Sequence, residues 1–564
     1  MHNHSPRFLR SEFSRGEILA PKPNSHRSSS RALPPDRLVA LVALSNGIPS
    51  RLIGTKLGRI LQSETDSSVL VINFVLSNET ITLGGWRDFH SGIGDGFQLA
   101  GHIHILGQNI HQLNVRATSS PLEIGEFFSL LNYCKERFDY ILVQLENNLP
   151  VAFLLDCLNY VDRSLLLIQA TTKDLYLHDL ILRELRVRVK VEGLKLRTIV
   201  CREKGEDTSN DLLKKLGPSV HGFVHGCPTA EVAKRIHTWS DKQFHDDLRR
   251  IAREVCRRRI GLALSSGGAR GLSHIGVIQI LEENNIDVDI IAGCSMGSYV
   301  GAIWAYGYDG IVMERLAREV EHRWGLLELL DPFILPRRGF IRGDKIKRRL
   351  KRSIGDVHFS ELSRPLRIVA TNHTTLERVV FSSGEVAEAV HASSAIPGAC
   401  IPVSINGELY IDGGICDPLP VDVLQEMGIE RIIAVNTIPT PSYLRCGEEM
   451  KREHDAIRGK HPGRLGGFLN TYLNYFAPGN ILDTIFRSFH GAQIRVAEQS
   501  CKQADLVLRP LCWDGRWHDF KHPGKYINIG RRETEEHLEE IKSLVNRKEP
   551  VNEKTATSRT VATA

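Results

Sequence analysis

Residues Arg259–Gly307 read RIGLALSSGGARGLSHIGVIQILEENNIDVDIIAGCSMGSYVGAIWAYG, and the order of their pieces decides the fold. The apolar run Ile260–Leu264 predicts a buried strand, the glycines after it a tight loop, and LSHIGVIQILEEN a helix. A second apolar run ends at Gly293-Cys294-Ser295-Met296-Gly297, and helix-forming residues follow at once. Strand, loop, helix, strand, sharp turn, helix is the pattern of a parallel α/β sheet. Serine in G-x-S-x-G between a strand and a helix is the nucleophile-elbow arrangement, in which Gly293 and Gly297 permit a strained turn that lifts the hydroxyl into the open. That motif alone is common, so its neighbours must give it meaning.

The first neighbour is the loop Ser266-Gly267-Gly268-Ala269-Arg270-Gly271. Adjacent glycines let successive backbone N–H groups turn toward one point, a site for anionic oxygen. A nucleotide role would call for G-x-G-x-x-G or a Walker lysine; the lysine is absent, and Gly267 and Gly271 supply only part of the first pattern. With a candidate nucleophile on the next strand, an oxyanion hole is the better reading. The second neighbour is distant. A serine hydroxyl is a weak nucleophile without a base, and GELYIDGGICDPLP places Asp412 at the end of a strand-like run, 412 − 295 = 117 residues beyond Ser295. His274, behind the glycine loop, is expected to pack or hydrogen-bond rather than to act as a triad histidine.

Outward from this core, 564 residues imply more than one domain. A composition 42% hydrophobic and 24% charged is that of a globular chain, and no tract is long and apolar enough to span a bilayer. The formal charge of +6 is mild and lacks the dense basic stripe of a nucleic-acid binder. Eleven cysteines, scattered and without C-x-x-C pairs, indicate neither a disulfide framework nor a zinc site, and favour a reducing compartment. The N-terminus lacks the apolar core of a signal peptide. From Asp36, the strand-like RLVALVAL, SSVLVINFV, DYILVQL, RSLLLIQA and LRTIVCRE alternate with helical segments, predicting a doubly wound sheet. The amphipathic AEVAKRIHTWSDKQFHDDLRRIAREVCRRR reads as a solvated connector. LGGFLNTYLNYFAPGN, with Leu465, Phe468, Leu469, Tyr472 and Phe476 near one helical face, reads as a core helix or an apolar flap.

The glycine loop, G-x-S-x-G and Asp412 in D-G-G, in this order, resemble the patatin-like phospholipase family, and ASSAIPGACIPV resembles its segment before the aspartate. HIGVIQILEE and GCSMGSYVGAIWA look closest to the bacterial and neuropathy-target-esterase branch. The resemblance implies a patatin-like α/β hydrolase domain of three α/β/α layers. It implies Ser295 as acyl-enzyme nucleophile and Asp412 as its base, with Gly267, Gly268, Ala269 and Arg270 forming the oxyanion hole. No metal and no cofactor are implied. The substrate would be a phospholipid or lysophospholipid acyl ester, met in the cytoplasm by peripheral contact at the inner face of a membrane. The sequence assigns no oligomeric state. Two positions depart from the family pattern: Ser266 stands where glycine is frequent, and Cys294 where threonine is.

The earlier strand order resembles the deviant P-loop ATPases. The loop Ser45-Asn46-Gly47-Ile48-Pro49-Ser50-Arg51 has no G-K-[ST], however, and the later strand carries Gln144 where that family has an aspartate. Nucleotide hydrolysis is therefore not expected there. The expected organisation is a disordered leader (1–34), a Rossmann-like domain (35–229), a connecting helix (230–259), the patatin-like catalytic domain (260–423), its C-terminal completion with a candidate lid (424–547) and a disordered tail (548–564). The competing reading is a noncatalytic lipid-binding or scaffold protein with a regulatory N-terminal domain.

Overall fold

The computed structural model describes residues 36–75, 81–82, 103–116, 124–146, 149–169, 171–188, 196–203, 220–235, 239–319, 321, 342–458, 481–516 and 518–547. The chain divides into two compact units, Met1–Arg257 and Arg258–Ala564. The leader, the flap segment around Phe468 and the tail, singled out from the sequence, lie outside the described residues.

In the first unit the strands are β1 (Leu38–Ala43), β2 (Val69–Val75), β3 (Ile81–Thr82), β4 (Ile103–Gly107), β5 (Ile110–Arg116), β6 (Tyr140–Glu146), β7 (Arg163–Ile168), β8 (Leu196–Cys201) and β9 (Val220–Val224). They form one sheet in the order β3-β5-β2-β6-β1-β7-β8-β9, parallel throughout, with β4 antiparallel on β5. The apolar runs quoted above supply β1, β2, β6, β7 and β8. The hairpin β4–β5 and strand β9 carried no such signal, because IHILG, IHQLNVR and VHGFV mix polar with apolar residues. Leu38, Ala40 and Val42 of β1 enter one hydrophobic cluster while Val39, Leu41 and Ala43 enter another. Both faces are thus covered, as a continuous apolar strand requires.

Helix α1 (Ser50–Thr65) covers one of those faces. Helix α2 (Lys242–Val255) shares its cluster, and this corrects the reading of 230–259 as a solvated connector. Phe244, Leu248, Ile251, Ala252 and Val255 follow a helical period and are buried, so the apolar stripe is a core face of the first unit. Its arginines are engaged within that unit: Arg249 and Arg253 reach Glu64 at 3.0 and 3.4 Å, and Arg250 reaches Asp247 at 2.6 Å.

The second unit repeats the layered plan. Its strands are β10 (Ile260–Leu264), β11 (Ile290–Cys294), β12 (Leu366–Asn372), β13 (Arg378–Phe381), β14 (Val403–Ile405), β15 (Glu408–Asp412), β16 (Arg431–Val435) and β17 (Leu506–Leu508). The order is β14-β15-β12-β11-β10-β16-β17, with β13 antiparallel on β12. The centre is parallel, and β15 runs antiparallel to β12 with Ala370 opposite Asp412. Leu262 and Leu264 face one cluster and Ala263 the other, so helices pack on both sides of this sheet too. The helices that build the site are α3 (Ser273–Glu283) after β10, α4 (Met296–Tyr306) after β11, α5 (Val386–Ser393) before β14, and α6 (Ile481–Cys501) before β17. Both units are therefore α/β with parallel-rich sheets.

Candidate active site

Loops at the carboxyl ends of parallel strands are where an α/β sheet exposes chemistry. β11 ends at Cys294, and Ser295 follows with φ 52° and ψ −118°, a left-handed φ that costs a non-glycine residue of order 1–3 kcal/mol. Neighbouring contacts hold it there. The Ser295 N–H donates to Ser393 Oγ at 2.8 Å, and that hydroxyl donates to Val369 O at 2.6 Å. The Ser295 carbonyl accepts from Ser298 Oγ at 2.6 Å and from the Ser298 and Tyr299 N–H groups at 3.0 and 3.1 Å, so it opens α4. The flanking glycines are needed for close approach: a Cβ at Gly293 would lie 2.6 Å from Gly297 O, and one at Gly297 would overlap Leu264 O.

β10 ends in a turn that is pinned to β16. Ser265 Oγ accepts from the Thr437 N–H at 2.9 Å, Thr437 Oγ1 donates to Ser266 O at 2.9 Å, and the Ser266 N–H donates to Pro418 O at 2.8 Å. Gly268 takes φ +56°, a value that suits glycine, and the chain then enters a short 3-10 turn before α3.

Asp412 closes β15. Its N–H donates to Ala395 O at 2.9 Å, and its carbonyl accepts from Thr371 Oγ1 at 3.0 Å. On the carboxylate, Oδ1 accepts from the Gly414 N–H at 2.7 Å and lies 3.9 Å from Cys294 Sγ. Burial drives its pKa up to about 6; the Gly414 N–H, the Ser295 hydroxyl and the Cys294 thiol hold it from rising further. A carboxylate so placed is ionised at neutral pH yet basic enough to take a proton. Burial, and then the negative charge of Asp412, raises the Cys294 thiol, so this cysteine serves as a donor and not as a thiolate.

Ser266, Gly267, Gly268, Arg270, Ser295 and Asp412 line one cavity of about 40 Å³, and Ile396, Ile438, Phe489, His490 and Gln493 complete its wall. Of the residues singled out from the sequence, Gly267, Gly268, Arg270, Ser295 and Asp412 are brought together there. Gly293 and Gly297 brace the turn from behind. Ala269 is placed otherwise: it is fully buried in the hydrophobic cluster and does not line the cavity, because the 3-10 turn rotates its methyl into the core. Burial lowers the Arg270 guanidinium to about 10, with Tyr526 and then Cys512 acting in opposition. His274 is fully buried, its Nε2 2.9 Å from Ser265 O, and burial lowers its pKa to about 4, so it is a neutral packing residue under the loop.

Ser393, His490 and Gln493 were missed from the sequence. Ser393 sits inside the quoted ASSAIPGACIPV without any mark of its own, and Gln493 follows Ser295 by 493 − 295 = 198 residues in a helix whose polar residues look ordinary. Among the described residues no group of three or more His, Cys, Asp or Glu side chains is placed to hold a metal ion, and no helix is long and apolar enough to cross a membrane.

Comparison with known proteins places residues 262–424 in the family model described as patatin-like phospholipase. The lysophospholipase NTE1 of Cryptococcus neoformans is 36% identical over 192 residues, 34% of this chain and 12% of that protein. An uncharacterised NTE family protein of Mycobacterium bovis is 41% identical over 179 residues, 32% of this chain and 49% of that one. The chain thus matches about half the length of one curated relative and a small part of the other. A ParA family ATPase from Chlorobium tepidum covers 39% of this chain and 91% of its own at 14% identity, with a TM-score of 0.29.

Proposed function

We propose that the patatin-like domain of this chain is a serine esterase that hydrolyses acyl esters of phospholipids or lysophospholipids through Ser295 and Asp412. One observation carries the reading: a serine on a strained turn and a buried carboxylate with pKa about 6 line a single cavity together with the glycine loop. The names of the relatives, lysophospholipase among them, support the substrate class.

Asp412 takes the Ser295 proton as Oγ attacks the ester carbonyl. Backbone N–H groups of the Gly267–Gly268 turn receive the developing oxyanion, where each well-placed donor contributes about 3 kcal/mol to lowering the barrier. Asp412 returns the proton to the departing alcohol, leaving an acyl group on Ser295, and then takes a proton from the water that releases the fatty acid. Ile396, Ile438 and Phe489 supply an apolar flank for the acyl chain. The cavity of about 40 Å³ opens to solvent, so the acyl chain extends from it past Ile396, Ile438 and Phe489. The protein works in the cytoplasm as a peripheral visitor to the membrane.

The test is a mixed phospholipid and lysophospholipid panel with products read by mass spectrometry, alongside fluorophosphonate labelling. Wild-type protein should release fatty acid and take the label on Ser295. Undiminished turnover by Ser295→Ala would refute the site.

A further inference from the structure

The second half of the proposed reaction needs a water molecule, and Asp412 alone does not fix where that water stands. A base removes a proton but leaves the oxygen free to swing about it, so a second hydrogen-bonding group is required to aim a lone pair at the acyl carbon. Gln493 occupies the right place. It lies on α6 and lines the cavity with Ser295 and Asp412, and it is 6% exposed. Among the described residues its carboxamide makes no hydrogen bond to protein, and it faces the cavity, where a water can partner it. The α6 backbone brings this amide against Gly414: a Cβ there would collide with Gln493 Nε2 and lie 2.9 Å from Asp412 Oδ1. The Gln493 amide therefore packs directly on Gly414, beside the Asp412 oxygen that accepts from the Gly414 N–H.

Two other polar side chains of the wall are differently disposed. Ser266 Oγ is sealed from solvent, and the His490 ring stands edge-on to Phe489 with centroids 6.1 Å apart. A cavity of about 40 Å³ exceeds the roughly 10–15 Å³ needed to admit one water.

We propose that the Gln493 carboxamide, facing Asp412 across the cavity, positions the water that releases the acyl group from Ser295. This rests on the serine-esterase reading and assigns a residue to its second step. The water oxygen bonds to the acyl carbon while its proton passes to Asp412. The bond from that carbon to Ser295 Oγ then breaks, the proton moves from Asp412 to Oγ, and the carboxylic acid leaves. Gln493 takes no part in acylation, which involves no water.

The full-length chain is acylated with a p-nitrophenyl ester, and the acyl adduct on the Ser295 peptide is followed by quenched-flow mass spectrometry. In Gln493→Met, of similar size, the acylation rate and fluorophosphonate labelling should stay within about twofold of wild type. Loss of the adduct should slow about tenfold, the cost of one hydrogen bond, so that a burst of p-nitrophenol appears. Gln493→Asn, which draws the amide back by one methylene, should show the same split and serves if the methionine variant does not fold. Unchanged deacylation in either folded variant overturns the proposal, and so does an equal fall in both steps, which marks a packing role. Absence of any adduct on wild-type Ser295 would instead sink the dyad itself.

Discussion

Two loops of this chain leave a buried parallel strand through a glycine and enter a helix, one after β1 and one after β10. What faces them differs. After β1, Ser45 Oγ donates to Gln169 Oε1 at 2.7 Å, and a Cβ at Gly47 would lie 2.5 Å from that same oxygen. Gln144, 2% exposed, lies under α1, where Gly54 leaves it room. The space a phosphate would need is filled by the protein's own carboxamides, and no loop lysine is present to attract one. After β10, Gly268 turns with φ +56°, and the loop borders a cavity shared with a hydroxyl and a carboxylate. A glycine after a strand therefore permits an anion site without making one. The groups that tertiary packing sets opposite the loop decide the outcome.

The comparison breaks most decisively at the reacting groups. Ser295→Ala should abolish hydrolysis and labelling, and Asp412→Asn, which keeps the shape and removes the base, should lower turnover by about 10³-fold or more with the melting temperature nearly unchanged. Activity retained in the asparagine variant would remove the β10 loop's claim to a catalytic base.

The next effect is on pH. In the proposed dyad Asp412 works as a carboxylate, and burial raises its pKa to about 6, so turnover should fall about tenfold per unit below pH 6 and level off above it. Asp417, also raised to about 6 by burial and paired with Arg378 at 3.2 Å, titrates in the same range without lining the cavity. Asp417→Asn should therefore leave the limb in place. A limb that vanished in that variant would reassign it.

Smaller effects sharpen the contrast between the glycines. Gly297→Ala drives a methyl into Leu264 O, backbone that cannot yield, and should cost about 2–4 kcal/mol in denaturant unfolding. Gly47→Ala meets only the end of the Gln169 side chain, which can rotate away, and should cost less than about 1 kcal/mol. Equal costs would show that both loops are held alike. Last, titration of the full chain with magnesium and ATP in a calorimeter should give no saturable heat; a binding isotherm would restore the β1 loop as a nucleotide site.

Much of this was legible in the residues. Apolar runs and glycine punctuation carry β1, β2, β6, β7, β8, β10 and β11, because burial on both faces leaves a local signature. Strands β4, β5 and β9 escaped because polar residues interrupt their apolar runs, and the buried β12 and β16 were not read either. The serine turn was legible because a φ of 52° at Ser295 is tolerable only with small neighbours, and Gly293 and Gly297 announce that need. The 230–259 segment misled because an apolar stripe looks the same whether it meets a core or stands at a junction.

By itself, then, the sequence determined two α/β sheets, the elbow at Ser295, the turn at Gly267–Gly268 and an aspartate at a strand end. Tertiary structure alone decided that Asp412 and Ser295 share a wall, that burial lifts this carboxylate to about 6, that Ser393 takes the elbow N–H, and that Gln493 packs on Gly414 beside Asp412. The physical reason is range. Backbone preference acts within a few residues and is written locally, whereas desolvation and the meeting of side chains depend on the packing of segments more than a hundred residues apart.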